Sequence, residues 1–206
     1  MRGLGRAVMT GAAALTVLLV GSVTAQQTAT FTDRRDKQTY KTVKIGKQTW
    51  MAQNLNYQTK SGSWCYEDKA DNCKKYGRLY DRNTANKACP SGWHLPSPLE
   101  WRDLAVAVGD VDVQGKSLKA KIGWNWNDEA NADGNGTDDY GFSALPGGNR
   151  APDGKFNDIG TFGSWWSTQL GWSLAYNRNI IYGGFGYFGN SNGMKSGYSV
   201  RCVADN

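Results

Sequence analysis

The densest set of potential ligand atoms lies between Asn125 and Asp139. Asp128, Glu129, Asp133, Asp138 and Asp139 stand there among Asn127, Asn131, Asn135, Gly134 and Gly136. Carboxylates and amide carbonyls at this density suit a hard cation, and calcium takes roughly six to eight oxygens. Asp128, Asp133, Asp138 and Asp139 are therefore the candidate calcium ligands. The spacing is not that of an EF-hand, and a solvated loop built from Asx turns is the competing reading. A glycosidase would need two facing carboxylates, such as Glu129 with Asp138, but two acids in a loop form no signature.

A second group runs from Tyr176 to Tyr198. Tyr182, Phe185, Tyr187, Phe188 and Tyr198 are interleaved with glycines, and Asn177, Arg178, Asn179, Asn190 and Asn192 add amides and a guanidinium. Flat aromatic faces beside amides suit sugar rings, and tyrosine and asparagine in loops also suit protein recognition. The segment reads as a loop, with Arg178, Tyr182, Phe185, Tyr187 and Phe188 as its ligand contacts. The alternative is that these rings pack inward, as an aromatic-rich core requires.

His94 is the only histidine. It has no nucleophile at any motif spacing, so a structural hydrogen-bonding role ahead of a helix is expected. Cys65, Cys73, Cys89 and Cys202 are an even set, which in an exported chain reads as disulfides. Of the three pairings open to them, Cys65–Cys73 and Cys89–Cys202 are expected. One histidine and no closely paired cysteines disfavour zinc. No cofactor motif is present; calcium is the one cation that the composition suits.

These groups need a scaffold and a compartment. Arg2 and Arg6 precede an uncharged run from Ala7 to Val20, and Val23-Thr24-Ala25 is a small-residue exit. Residues 1–25 therefore read as a cleaved secretory signal. Residues 26–38 read as a short polar leader and residues 39–206 as one domain, with no membrane span once the signal is removed. The formal charge of +6 is mild and spread out, which argues against nucleic acid as a partner.

Within the domain, Tyr40 to Ile45 alternates polar and apolar, Gly46-Lys47 is a turn, and Gln48 to Met51 starts a second strand. Leu79 to Ala88 reads as a short helix. Ser97-Pro98-Leu99-Glu100 spells a capping box with proline at the first helical position, and Trp101, Leu104, Ala105 and Val108 follow as an apolar stripe up to Gly109. A further short helix is expected over Gln114 to Lys121. Short strands are expected at Gly141–Leu145, Ser164–Thr168, Ser173–Tyr176 and Ser199–Val203, in an α+β domain.

The series Val43-Lys44-Ile45-Gly46-Lys47-Gln48-Thr49-Trp50-Met51-Ala52-Gln53-Asn54-Leu55-Asn56-Tyr57, then Tyr76 to Tyr80, Ala88 to Ser97, Gly141 to Gly148, Trp165-Trp166-Ser167 and Ser199 to Val203 resembles the Fibrobacter succinogenes major paralogous domain. Gln53 stands where that family commonly has an acid. A more distant similarity links His94 to Trp101 with the helix start of formylglycine-generating folds. The tryptophan and terminal strands are similar to the closing elements of C-type-lectin-like domains. The resemblance implies small antiparallel sheets, two to three short helices, long irregular loops and a surface or secreted location. The expected function is an exported, non-catalytic binding or adhesion module that recognises polysaccharide or a surface partner through the aromatic loops. A self-assembling structural subunit is the alternative, and an enzyme comes third.

Overall fold

The computed structural model describes residues 27–127, 131–168, 175–181, 184–190 and 195–205, the stretch 184–190 as backbone. The expected signal sequence lies outside the described residues. Among them, no helix is long and apolar enough to cross a membrane.

Two sheets organise the chain. The first is antiparallel throughout. It is ordered β1 (Thr28–Thr32), β2 (Thr39–Ile45), β3 (Gln48–Met51), β15 (Val203–Ala204), β6 (Trp93–His94). The segment expected as a loose leader thus supplies an edge strand. Its threonines and Phe31 favour extended backbone once β2 offers a ladder.

The second sheet is ordered β10 (Phe156–Ile159), β9 (Gly147–Arg150), β11 (Gly163–Trp166), β14 (Tyr198–Ser199), β5 (Leu79–Tyr80), β4 (Ser63–Trp64). β11 runs parallel to both β9 and β14, so this sheet is mixed rather than antiparallel. β11 also pairs with β12 (Ala175–Ile181), which forms a hairpin with β13 (Gly184–Asn190). The region read as an aromatic loop is therefore largely paired strand.

Four short α-helices are described, more than the two or three expected: α1 (Ala70–Tyr76), α2 (Arg82–Ala88), α3 (Pro98–Val108) and α4 (Val111–Leu118). α3 starts as its sequence demands. Ser97 Oγ accepts from the Glu100 N–H at 3.2 Å, and Glu100 Oε2 accepts from the Ser97 N–H at 2.7 Å. The helix expected over Leu79–Ala88 splits instead. Leu79 and Tyr80 are strand, and Asp81 caps α2 by accepting from the Thr84 N–H at 2.8 Å. α1 is polar in sequence and held by its disulfide and by buried Tyr76.

The core forms two clusters, and β3 and β11 divide them. Trp50 and Trp165 lie in one, with Trp101, Leu104, Phe142 and Ile180. Their chain neighbours Met51 and Trp166 lie in the other, with Leu55, Tyr80, Leu95 and Val200. Successive strand residues face opposite ways, so a strand buried on both faces reads as an unbroken apolar run. That is why Trp165-Trp166 is a doublet.

The end of the chain stitches the sheets together. Ser199 belongs to the second and Val203 to the first, so the strand expected over Ser199–Val203 is two strands with a crossing between them. The Leu55 N–H donates to Val200 O at 2.8 Å and the Met51 N–H to Cys202 O at 3.0 Å. Cys89–Cys202 closes a separation of 113 residues and Cys65–Cys73 one of 8. In the chain-entropy account the long bond contributes about 5 kcal/mol and the short one about half that.

Candidate functional site

Asn54, Trp165 and Arg201 come from distant parts of the chain and meet at one point between the sheets. The Arg201 side chain is fully buried. Its Nε and one terminal nitrogen donate to Asn54 Oδ1 at 3.0 and 2.6 Å. Trp165 Nε1 donates to the same oxygen at 2.8 Å. The other terminal nitrogen of Arg201 donates to Phe142 O, and the guanidinium lies 4.4 Å over the Phe142 ring. Asn54 Nδ2 in turn donates to Tyr76 O at 2.8 Å. Burial pushes Arg201 down to about 9, opposed by the charge of Asp138, so it stays a cation at neutral pH. A buried cation is tolerated only when its donors are used, and here carbonyl oxygens surround it.

Asp138 builds the rim of this hub. Its carboxylate accepts from the Ser143 N–H at 2.7 Å and from Ser143 Oγ at 2.6 Å. Asp138 and Ser143 both hold positive φ, at 49° and 52°. The pair fixes the turn that presents the Phe142 carbonyl to Arg201. The strand expected over Gly141–Leu145 is therefore irregular backbone, bridged once by Ala144 to Lys119.

Two residues beyond Asn54 the chain opens into solvent. Two adjoining clefts, of about 250 and 330 Å³, share Gln38, Asn56, Cys73 and Lys74. Lys41 and Gln53 line the first; Asp36, Tyr57, Gln58 and Arg78 line the second. The floor is fixed by the backbone. The Arg78 N–H donates to Leu55 O at 3.0 Å, and Gly77, at φ +76°, passes so close that a Cβ there would stand 2.7 Å from Asn54 Cβ. Most polar groups in the cleft are spoken for. Gln38 Nε2 donates to Asp36 Oδ2 at 2.7 Å, and an Arg78 terminal nitrogen donates to Gln58 Oε1 at 2.9 Å. Arg35 lies 3.8 Å over the Tyr57 ring. Asn56 Oδ1 and Arg78 Nε, however, are buried and have no hydrogen-bond partner among the described residues. Both residues line the second cleft, and a hydroxyl can serve an open acceptor or an open donor.

The residues expected to bind lie elsewhere. Arg178 is 2 % exposed in β12, so its side chain belongs to the interior. The register sets Arg178 opposite Tyr187, Ile180 opposite Phe185 and Asn177 opposite Phe188. Tyr182 lies outside the described residues.

Of the acidic set, Asp128 and Glu129 also lie outside. Asp138 is used as above, Asp133 Oδ1 accepts from the Asn135 N–H at 3.1 Å, and Asp139 Oδ2 accepts from Thr137 Oγ1 at 2.7 Å. Lys119 Nζ donates to Gly134 O at 2.6 Å, and burial, with Lys116 nearby, pushes its amine down to about 8. No group of three His, Cys, Asp or Glu among the described residues is arranged to hold a metal ion.

His94 sits between two carboxylates. Nδ1 is 2.6 Å from Asp205 Oδ1 and Nε2 is 2.6 Å from Glu100 Oε1. Partial burial alone would lower its pKa, but the bonds to Asp205 and Glu100 outweigh that and raise it.

Sequence reasoning missed the cleft. Asn56 and Arg78 stand in the recognised blocks, but neither block shows which polar group lacks a partner. It also passed over Trp126, which is 58 % exposed on β7 (Trp126–Asn127).

The Fibrobacter succinogenes major domain matches residues 43–204. No curated protein and no solved structure matches the chain.

Proposed function

The chain belongs to the Fibrobacter succinogenes major domain family, and from that premise we propose that it is an exported, non-catalytic binding module for a hydroxyl-rich polymer, a polysaccharide, held in the cleft of Asn56, Tyr57 and Arg78. The observation that carries the reading is that Asn56 Oδ1 and Arg78 Nε, on two residues lining one cleft, are buried without a partner among the described residues. Leaving such groups unmade costs about 1–3 kcal/mol each, and a ligand hydroxyl that bonds them repays that cost. Side-chain amides, a half-buried tyrosine ring and two adjoining clefts suit a chain of sugar rings. Export is supported by the N-terminal charge and apolar pattern and by two disulfides, which persist in oxidising compartments. A C-type-lectin-like arrangement, related to that of formylglycine-generating enzymes, is supported by the tryptophan strand, the terminal strand and the capped helix α3.

The test is retention of purified protein on insoluble cellulose, xylan and peptidoglycan. The wild type is retained on at least one. Asn56→Ala with Arg78→Met lowers retention at least about tenfold, the loss of two hydrogen bonds. Melting temperature and circular dichroism keep their wild-type values. Undiminished retention by that variant overturns the site. So does loss confined to Tyr182→Ala with Phe185→Ala, which would return the ligand to the β12–β13 hairpin.

A further inference from the structure

β1 is an edge strand with one partner. The Lys44 N–H donates to Gln27 O at 3.0 Å and the Asp33 N–H to Gln38 O at 2.8 Å. Bonded pairs alternate along an antiparallel ladder, so residues 27, 29, 31 and 33 spend their amides on β2. Thr28, Thr30 and Thr32 therefore turn their N–H and C=O groups to the open side. None of these six groups has a partner among the described residues. The strand reads Thr-Ala-Thr-Phe-Thr, with no charge, no proline and no bulge. Those are the devices that normally blunt an exposed edge. It also precedes the matched family region, which begins at residue 43.

We propose that β1 pairs with β1 of a second copy, antiparallel about a two-fold axis through Thr30, joining two five-stranded sheets into one of ten strands. The register is self-complementary. Thr30 meets Thr30 of the other copy, and Thr28 meets Thr32. Every outward residue then faces an outward residue, and all six groups are used on each side. The intervening pairs set Ala29 against Phe31, where the closer spacing of non-bonded pairs lets the ring cover the methyl. No like charges oppose each other. A two-fold contact closes on itself and gives a dimer, not a fibre.

Sedimentation velocity and disulfide trapping test this on purified protein whose first residue has been read by mass spectrometry. The wild type sediments at twice the chain mass in the micromolar range. Thr30→Pro weakens association at least about tenfold, since it removes a central donor and adds a clash. It keeps the fold, because the Thr30 N–H takes no part in it; an unchanged melting temperature of the monomer checks this. Thr30→Cys cross-links between copies, because bonded pairs stand about 5.5 Å apart at Cα, within disulfide reach. Thr28→Cys does not, because the two copies of that residue lie about 13 Å apart along the strand. Thr28→Lys with Thr32→Glu retains the dimer, and Thr28→Lys with Thr32→Lys loses it. A wild type that stays monomeric throughout the micromolar range overturns the proposal. Equal cross-linking by the two cysteine variants overturns the register and the proposal with it.

Discussion

Asn54 and Asn56 are the same residue type, two positions apart, on one stretch of backbone. Asn54 is saturated: its oxygen takes Arg201 twice and Trp165 once, and its amide reaches Tyr76 O. Asn56 keeps a buried oxygen that nothing among the described residues uses. The polar interior therefore divides into a part that holds the fold and a part that is left unfinished. The contrast also explains why the two parts sit so close. The hub freezes Asn54, Gly77 and the Tyr76 carbonyl, and this rigid base sets Asn56 and Arg78 in place. A binding group is more precise when its supports cannot move.

The sharpest way to break this comparison is Asn54→Ala. It strips the shared acceptor from a buried cation and a buried indole. Removing one member of a buried charged network costs about 3–5 kcal/mol. Urea denaturation followed by tryptophan fluorescence should show that loss without a change in slope. A loss below about 1 kcal/mol would mean that water or the Phe142 carbonyl replaces Asn54, and the hub would not be the organising element.

The companion substitution should do almost nothing to the fold. Asn56→Ala removes an oxygen that is already unpaired, so stability should hold or rise by up to about 1 kcal/mol. The two variants, measured side by side, should differ by several-fold in their effect on unfolding. Their effects on polysaccharide retention are also separable: Asn56→Ala loses binding while folded. A strongly destabilising Asn56→Ala would show that its oxygen has a structural partner, and the comparison would collapse.

The two asparagines also mark how far the sequence could be read. Ser97 and Glu100 declared α3, because a capping box is local and its chemistry is complete within four residues. The cysteines declared the covalent ties and Ser164–Thr168 a strand, but the burial of that strand on both faces came from the packed core. Arg201 did not declare itself. In Ser199–Val203 it occupies the polar slot of an alternating strand, which ordinarily means solvent. Its burial follows from the crossing between sheets, a tertiary event. Arg178 is buried for a tertiary reason as well; sequence shows it only as a polar residue among aromatics. β1 was missed because five weakly apolar residues become a strand only when β2 is beside them. The cleft was invisible because an unmet hydrogen bond is a property of the assembled neighbourhood, not of a residue type.

The smallest expected effect belongs to His94, and it sharpens the comparison from outside the hub. Arg201 is a buried cation with fixed neutral partners. His94 is a partly exposed one whose partners, Asp205 and Glu100, are charged. Its pKa is raised, so its contribution is complete below the ordinary imidazole value of 6.5 and fades as pH climbs through the folded value. Partial burial would raise the Glu100 carboxyl, but the Ser97 N–H and His94 outweigh it and hold it low. That contribution is complete above the ordinary value of 4.5 and fades as pH falls. The clasp on the chain end is therefore strongest between those two values. His94→Gln should flatten stability against pH above 6.5 while leaving the value at higher pH nearly unchanged. The difference should stay below about 1 kcal/mol, because solvent screens an exposed pair. Thermal melts from pH 5 to pH 8 would read it directly. An unaltered pH profile in His94→Gln would mean that the two 2.6 Å contacts place the ring without fixing its charge. Stability would then rest on the neutral carbonyl partners of the hub, with no share from this ionic clasp.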